Sequence, residues 1–154
     1  MQLVDAREAL EQAVEIRLTM LREVERLPAD HVFPEDFVTR TAACFRSDFQ
    51  VTRLMMDGDR PVACATLCYY ETIPTLSHPM GHRAHMMNVY TVPEARRQGI
   101  ARQLLTSLFD EARSRGVTEI LLDATDAGRP LYESLGFERN DEGMTLFLHP
   151  KKET

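Results

Sequence analysis

Residues 96–101 read Arg-Arg-Gln-Gly-Ile-Ala, an RxxGxA run followed at once by Arg102. Apolar, strand-like sequence precedes it and an amphipathic helical pattern follows, so the run falls at a helix N-terminus. There the first N–H groups have no partner within the helix. Gly99 and Ala101 carry little or no side chain, which lets an anion approach the backbone closely. The helix dipole and the neighbouring arginines favour negative charge at the same place. The chemistry predicted is diphosphate binding by backbone N–H groups between Arg97 and Arg102. The guanidinium groups assist, and no P-loop lysine is present.

The elements that must position this turn follow from periodicity. Residues 84–92 predict a strand leading into it. The helix beyond buries Ile100, Leu104, Leu105, Leu108, Phe109 and Ala112 and stops at Gly116, a natural left-handed cap. Residues 117–124 predict a mostly buried strand, which makes strand, helix and strand one parallel crossover unit. Its ligands belong at the carboxyl ends of the strands.

Upstream, Leu10, Val14, Leu18, Leu21 and Val24 recur at helical spacing and predict an amphipathic helix over 5–27, ended by Pro28. Only Gln2-Leu3-Val4 can supply a strand before it, so that strand is expected to be short or missing. A second helix begins at Pro34-Glu35-Asp36 and buries Phe37, Val38, Thr41, Ala42 and Phe45. Two strands joined at Asp57-Gly58-Asp59 form a hairpin. Residues 71–83, with two prolines, a glycine and two histidines, form a long loop of the kind used as a substrate lid. A short helix over 130–135, capped by Gly136, and a last strand over 143–149 complete the chain.

A chain of 154 residues with 44% apolar and 27% charged residues is expected to be one globular domain spanning 1–154. Its net charge of -6 argues against nucleic-acid binding, and no apolar run reaches bilayer length, so no membrane partner is expected. The first ten residues lack the pattern of a secretory signal, so a cytoplasmic location is expected. Cys44, Cys64 and Cys68 form no CxxC pair and read as reduced core residues. His78, His82 and His85 lack a completing ligand, so no metal site is expected.

The strand, the turn and the RxxGxA helix resemble the acetyl-CoA site of the GCN5-related N-acetyltransferase (GNAT) superfamily. Leu131-Tyr132-Glu133-Ser134-Leu135-Gly136-Phe137 is similar to that family's second signature, LYxxxGF. Residues 124–132 look like a bacterial subgroup of unassigned substrate. The resemblance implies an α/β GNAT fold: a mixed, mostly antiparallel twisted sheet flanked by helices, with a central parallel strand pair splayed at the acetyl-CoA site. It implies acetyl-CoA as co-substrate, held by Arg96, Arg97, Gln98, Gly99, Ile100, Ala101 and Arg102, and by backbone groups of Val89, Tyr90 and Thr91. Asp126 stands where many members carry an asparagine and is a further contact to the cofactor.

By the same resemblance Tyr132 donates a hydrogen bond to the departing thiolate. His85 matches the place of a carboxylate base in some relatives, and an imidazole suits that task at neutral pH. Glu71 and His82 are the other candidate bases. The implied reaction is direct acetyl transfer to a primary amine of a small molecule or peptide, by a chain that pairs as a homodimer in many relatives. The rival from another class is a non-catalytic acyl-CoA sensor that regulates a partner.

Overall fold

The second strand fixes the two faces of the sheet. In Gln50–Asp57 (β2), Gln50, Thr52 and Leu54 face one side and Val51, Arg53 and Met55 the other, and nearly all are buried. The computed structural model describes residues 1–150, which fall into two compact units, one ending at Leu122 and one starting at Asp123.

The first unit holds a five-stranded sheet in the order β1-β2-β3-β4-β5. Strand β1 (Gln2–Asp5) exists, is four residues long, and pairs antiparallel with β2. Strands β2 and β3 (Arg60–Glu71) form the predicted hairpin, with Gly58 at φ 59° in the turn. Strand β4 (His82–Thr91) is antiparallel to β3, and β5 (Glu119–Leu121) is parallel to β4.

Helices cover both faces. Gln50 donates to the Phe45 carbonyl (3.0 Å), which marks the face of helices α1 (Leu10–Val24) and α2 (Glu35–Arg46). Arg53, one residue beyond Thr52, reaches Ser107 (3.4 Å) and Glu111 (3.6 Å) of α3 (Ile100–Ser114) on the opposite face. Along α3 the expected stripe is buried at Ile100, Leu104, Leu105, Leu108 and Ala112, while Phe109 is only half-buried. Gly116 takes φ 72°, as a helix stop requires.

Several expectations need correction. Helix α1 starts at Leu10 and not at Asp5, because the Asp5 carboxylate accepts from the Arg7 N–H (2.9 Å) and from Arg53 (2.5 Å) and so holds residues 5–9 in a turn. Its fully buried positions are Ala13 and Ile16, and Val24 is 60% exposed, so the buried stripe is rotated from the predicted one. In α2 only Phe45 is buried. Phe37 is 41% exposed because its stripe borders a cavity.

Strand β5 is shorter than predicted because pairing with β4 stops at His85↔Leu121. No further strand pairs beyond β5 among the described residues, so the parallel pair lies at the sheet edge and not at its centre.

The second unit contains helix α4 (Arg129–Ser134), followed by Gly136 at φ 99°. Residues 143–149 alternate as a strand would, yet no strand forms there among the described residues. Met144, Leu146 and Leu148 are 98%, 82% and 91% exposed. An alternating pattern makes a strand only where a neighbouring edge completes its hydrogen bonds.

Candidate active site

The parting of β4 from β5 generates the first half of the site. Beyond His85 the β4 backbone has no parallel partner, although its pairing with β3 continues to Thr91. The Val92 N–H donates to the Val62 carbonyl (2.9 Å). Alternation along an antiparallel strand then turns the backbone groups of Tyr90 toward β3 as well, and those of Thr91 toward the open edge, while Val89 lies where the register slips. Of the three residues expected to meet the cofactor, Thr91 therefore faces that edge, Tyr90 does not, and Val89 belongs to the irregular part of the strand. Thr91 has already committed its carbonyl to Arg96 Nε (2.9 Å).

A bulge lies just before this stretch. Register slips between Cys64 and Thr66, and Asn88 opposite takes φ 58°, a left-handed conformation that asparagine tolerates better than most residues. Its side chain is buried, and both its polar atoms are hydrogen-bonded. Asn88 Nδ2 donates to Thr66 Oγ1 (3.1 Å), and Asn88 Oδ1 accepts from Arg17 (3.3 Å). Thr66 continues to Thr52 (2.7 Å), whose hydroxyl donates to Gln50 (2.6 Å). This polar chain pins the bulge to α1 and β2.

The second half is the turn after β4. A 3-10 turn at Pro93–Ala95 leads to Arg97 at φ 65° and Gly99 at φ 75°, and α3 begins at Ile100. Left-handed residues separated by one of negative φ before a helix turn their N–H groups into one concavity, an arrangement that binds anions. The N–H groups of Arg97, Gly99, Ile100 and Ala101 have no acceptor among the described residues. A Cβ placed on Gly99 would meet nothing within 4 Å, so the glycine serves its φ and not a tight contact within the chain.

The arginines of the run differ. Arg97 is exposed and makes no side-chain contact with the described residues. Arg96 is occupied: besides Thr91, it donates to Glu23 (2.7 Å) and its guanidinium lies over the Tyr90 ring at 5.7 Å. Tyr90 in turn donates from its hydroxyl to Glu23 (2.5 Å). The bond from Arg96, then that from Tyr90, holds the Glu23 carboxyl below its usual range. Burial, then the bond to Glu23, pushes the Tyr90 phenol up to about 12. Glu23 thus ties the end of α1 to the start of the turn.

His85 stands at the last paired position before the strands part, cross-strand from Cys68. The other histidines are engaged elsewhere. His78 bonds Thr118 (2.8 Å) and Glu119 (3.3 Å), while His82 pairs with Glu71 (3.2 Å), so the two other candidate bases bind each other. The 72–81 loop is closed at its base by Thr72 N–H donating to the Gly81 carbonyl (2.9 Å). A Cβ on Gly81 would fall 2.0 Å from the Thr72 carbonyl oxygen.

On the α1/α2 face a cavity of about 250 Å³ reaches Met87 and Asn88 of β4. Phe37, Phe45 and Phe49 form its aromatic wall, and Cys44 and Cys68 line it as free thiols. Arg17 and Arg40 supply its charge. Sequence reasoning missed Arg17, Glu23 and Asn88. The available signal for Arg17 was its place four residues after Ala13, on the helix face that is buried.

Within the second unit, Tyr132 is half-buried and burial raises its pKa. Its ring meets Phe137 edge-on at 5.8 Å, and its hydroxyl has no partner among the described residues. A Cβ on Gly128 would lie 3.1 Å from the Tyr132 ring and would press on it. Asp126 is exposed and pairs with Arg129 (2.8 Å).

Comparison with known proteins finds relatives of the chain and of its fold. A glucosamine 6-phosphate N-acetyltransferase of Trypanosoma brucei brucei is 33% identical over 64 residues, 42% of this chain and 44% of that protein. A ribosomal-protein-alanine N-acetyltransferase of Escherichia coli is 42% identical over 57 residues, 35% of this chain and 38% of that one. The matched part thus spans less than half the length of these curated relatives. A predicted acetyltransferase of Clostridium acetobutylicum, solved with acetyl-CoA, superposes with a TM-score of 0.79 at 26% identity, covering 96% of this chain and 94% of that one. The model of the acetyltransferase (GNAT) family matches residues 18–137, which contain the open β4 edge, the N–H turn and Tyr132, and the chain belongs to that family.

Proposed function

We propose that the chain is an N-acetyltransferase that moves an acetyl group from acetyl-CoA directly to a primary amine. One observation carries this reading: beyond His85 the outer edge of β4 has no parallel partner, and it runs straight into a turn with free N–H groups. Buried strand groups without partners are costly, and an extended amide-bearing arm along the edge would satisfy them. The concave turn at 97–101 suits the diphosphate at the far end of such an arm.

Acetyl-CoA supplies the activated acyl group. The amine nitrogen attacks the thioester carbonyl carbon, a C–N bond forms and the C–S bond breaks. The Val89 N–H stabilises negative charge developing on the carbonyl oxygen. Tyr132 donates a hydrogen bond to the departing sulfur. Its raised pKa keeps the phenol protonated at neutral pH, and the thiol is the stronger acid, so Tyr132 supports the thiolate without full proton transfer.

An alkyl ammonium must lose a proton before attack, and His85 at the fork is the acceptor in this reading. None of the three cysteines lies in the turn or beside Tyr132 in sequence, which supports direct transfer over an acyl-enzyme route.

The test is CoA release with acetyl-CoA and a panel of amines and peptides, with acetyl-CoA binding followed in parallel. Release that depends on an acceptor supports the enzyme. Binding without release on any acceptor favours a sensor, and absence of binding removes both readings.

A further inference from the structure

The cavity beneath α1 and α2 combines apolar walls with two cationic groups that form no ion pair among the described residues. Arg17 is half-buried, and among the described residues its side-chain hydrogen bonds go to Asn88 Oδ1 (3.3 Å) and Met20 Sδ (3.8 Å). A guanidinium carries five N–H donors, so most of those on Arg17 remain unspent. Arg40, on α2, lines the same cavity and forms no ion pair with the described residues. Arg53, Arg83 and Arg96 behave otherwise: each meets an acid, Asp5, Glu119 and Glu23 respectively.

Taking a guanidinium out of water without a counter-charge is unfavourable, and burial indeed lowers the Arg17 pKa. In a chain of net charge -6, the half-buried Arg17, with no ion pair among the described residues and with the exposed Arg40 at the same cavity, marks a place for an external anion, although Glu35 and Asp36 share the outer surface of α2 with Arg40. Asn88 also holds the Arg17 side chain in position, since its Oδ1 is fixed by the chain through Thr66, Thr52 and Gln50.

We propose that this cavity is the acceptor site and that the acceptor is a small primary amine carrying both an anionic group, bound by Arg17 and Arg40, and an apolar body that packs on Phe37, Phe45 and Phe49. The proposal rests on the acetyltransferase reading for its chemistry, and its binding half can be tested apart from it. The cavity reaches β4 at Met87 and Asn88, directly before Val89, so an amine held there lies next to the open edge. A polyamine, which brings only positive charge and little apolar surface, is the wrong ligand for these walls.

The decisive comparison uses L-phenylalanine, L-phenylalaninamide, glucosamine 6-phosphate and spermidine as acceptors, with CoA release as one readout. NMR titration of L-phenylalanine into the protein, followed at the Arg17 and Met87 signals, is the other. Expected is a preference for the acid over the amide of roughly ten- to a hundred-fold in kcat/KM, the scale of a charge-assisted hydrogen bond. Arg17→Met and Arg40→Met each reduce that preference, read as the ratio of kcat/KM for the acid to that for the amide, and Arg40→Met serves even if Arg17→Met fails to fold. The amide has the less basic amine, so an enzyme without an anion site would favour it.

Equal or better use of the amide or of spermidine, with CoA still released, overturns the anion site and leaves the acetyltransferase intact. Preference for glucosamine 6-phosphate over L-phenylalanine keeps the anion but overturns the apolar body. Saturable shifts at Arg17 without any CoA release support the anion site while the transferase reading fails. The absence of both shifts and turnover overturns the proposal.

Discussion

The Tyr90 hydroxyl donates to the Glu23 carboxylate over 2.5 Å, and Arg96 donates to the other oxygen of the same group over 2.7 Å. The last turn of α1, the open strand and the N–H turn therefore share one carboxylate. The shape of the turn depends on a residue more than sixty positions upstream, outside any local motif.

That shared carboxylate makes stability depend on pH with a definite sign. Its folded pKa is lowered, so the stabilisation is present above the unfolded carboxylate range and is lost as pH falls through the folded value. Thermal melts of Glu23→Gln should lie below wild type at neutral pH, and the gap should close below roughly pH 4. On the alkaline side the raised Tyr90 value acts in the opposite sense. Its contribution is complete below the ordinary tyrosine value of ~10 and is lost as pH rises toward about 12. Tyr90→Phe should lack that alkaline loss and cost roughly 1–2 kcal/mol at pH 7 in urea denaturation. An acid limb identical in wild type and Glu23→Gln would contradict the assignment.

Arg97 separates strain from binding. Its φ of 65° is unfavourable for a residue with a Cβ, by roughly 1–2 kcal/mol. Arg97→Gly should leave the melting temperature unchanged or raise it, while weakening acetyl-CoA severalfold through the lost charge. Gly99→Ala should do the reverse to stability, lowering it by about 1 kcal/mol. Calorimetric titration with acetyl-CoA beside a melting curve checks both. If Arg97→Gly binds acetyl-CoA as tightly as wild type, the side chain takes no part in holding it.

Asn88 should be among the least replaceable residues in the first unit. Asn88→Ala removes the left-handed tolerance at φ 58° and leaves Thr66 and Arg17 short of a partner. A loss of roughly 2–4 kcal/mol is expected from the two effects together. Chemical denaturation measures it, and a loss below about half of the lower bound would mean that water replaces the amide freely.

Much of this molecule was readable beforehand, for identifiable reasons. The stripe from Ile100 to Ala112 and the hairpin around Gly58 were legible because their periodicity is local and regular. The turn before α3 was legible because a glycine and a small residue were spaced as a helix start requires. The cavity was not, because Phe37 and Phe45 have the same helical spacing whether they fill a core or line a space. Arg17 and Asn88 escaped because their pairing joins positions seventy-one residues apart. The strand expected over 143–149 shows the limit of alternation, which describes a segment but not whether an edge is there to receive it.

The most direct test of the central claim is acetyl transfer itself, measured as CoA released and acetylated acceptor formed, in wild type and Tyr132→Phe side by side. The account predicts acceptor-dependent release that falls about a hundredfold in the variant, the lower end of general acid–base contributions, with acetyl-CoA affinity unchanged. Equal rates in the two proteins would remove Tyr132 from the chemistry. No release with any amine, together with no binding of acetyl-CoA, would contradict the whole assignment of the β4 edge and its N–H turn.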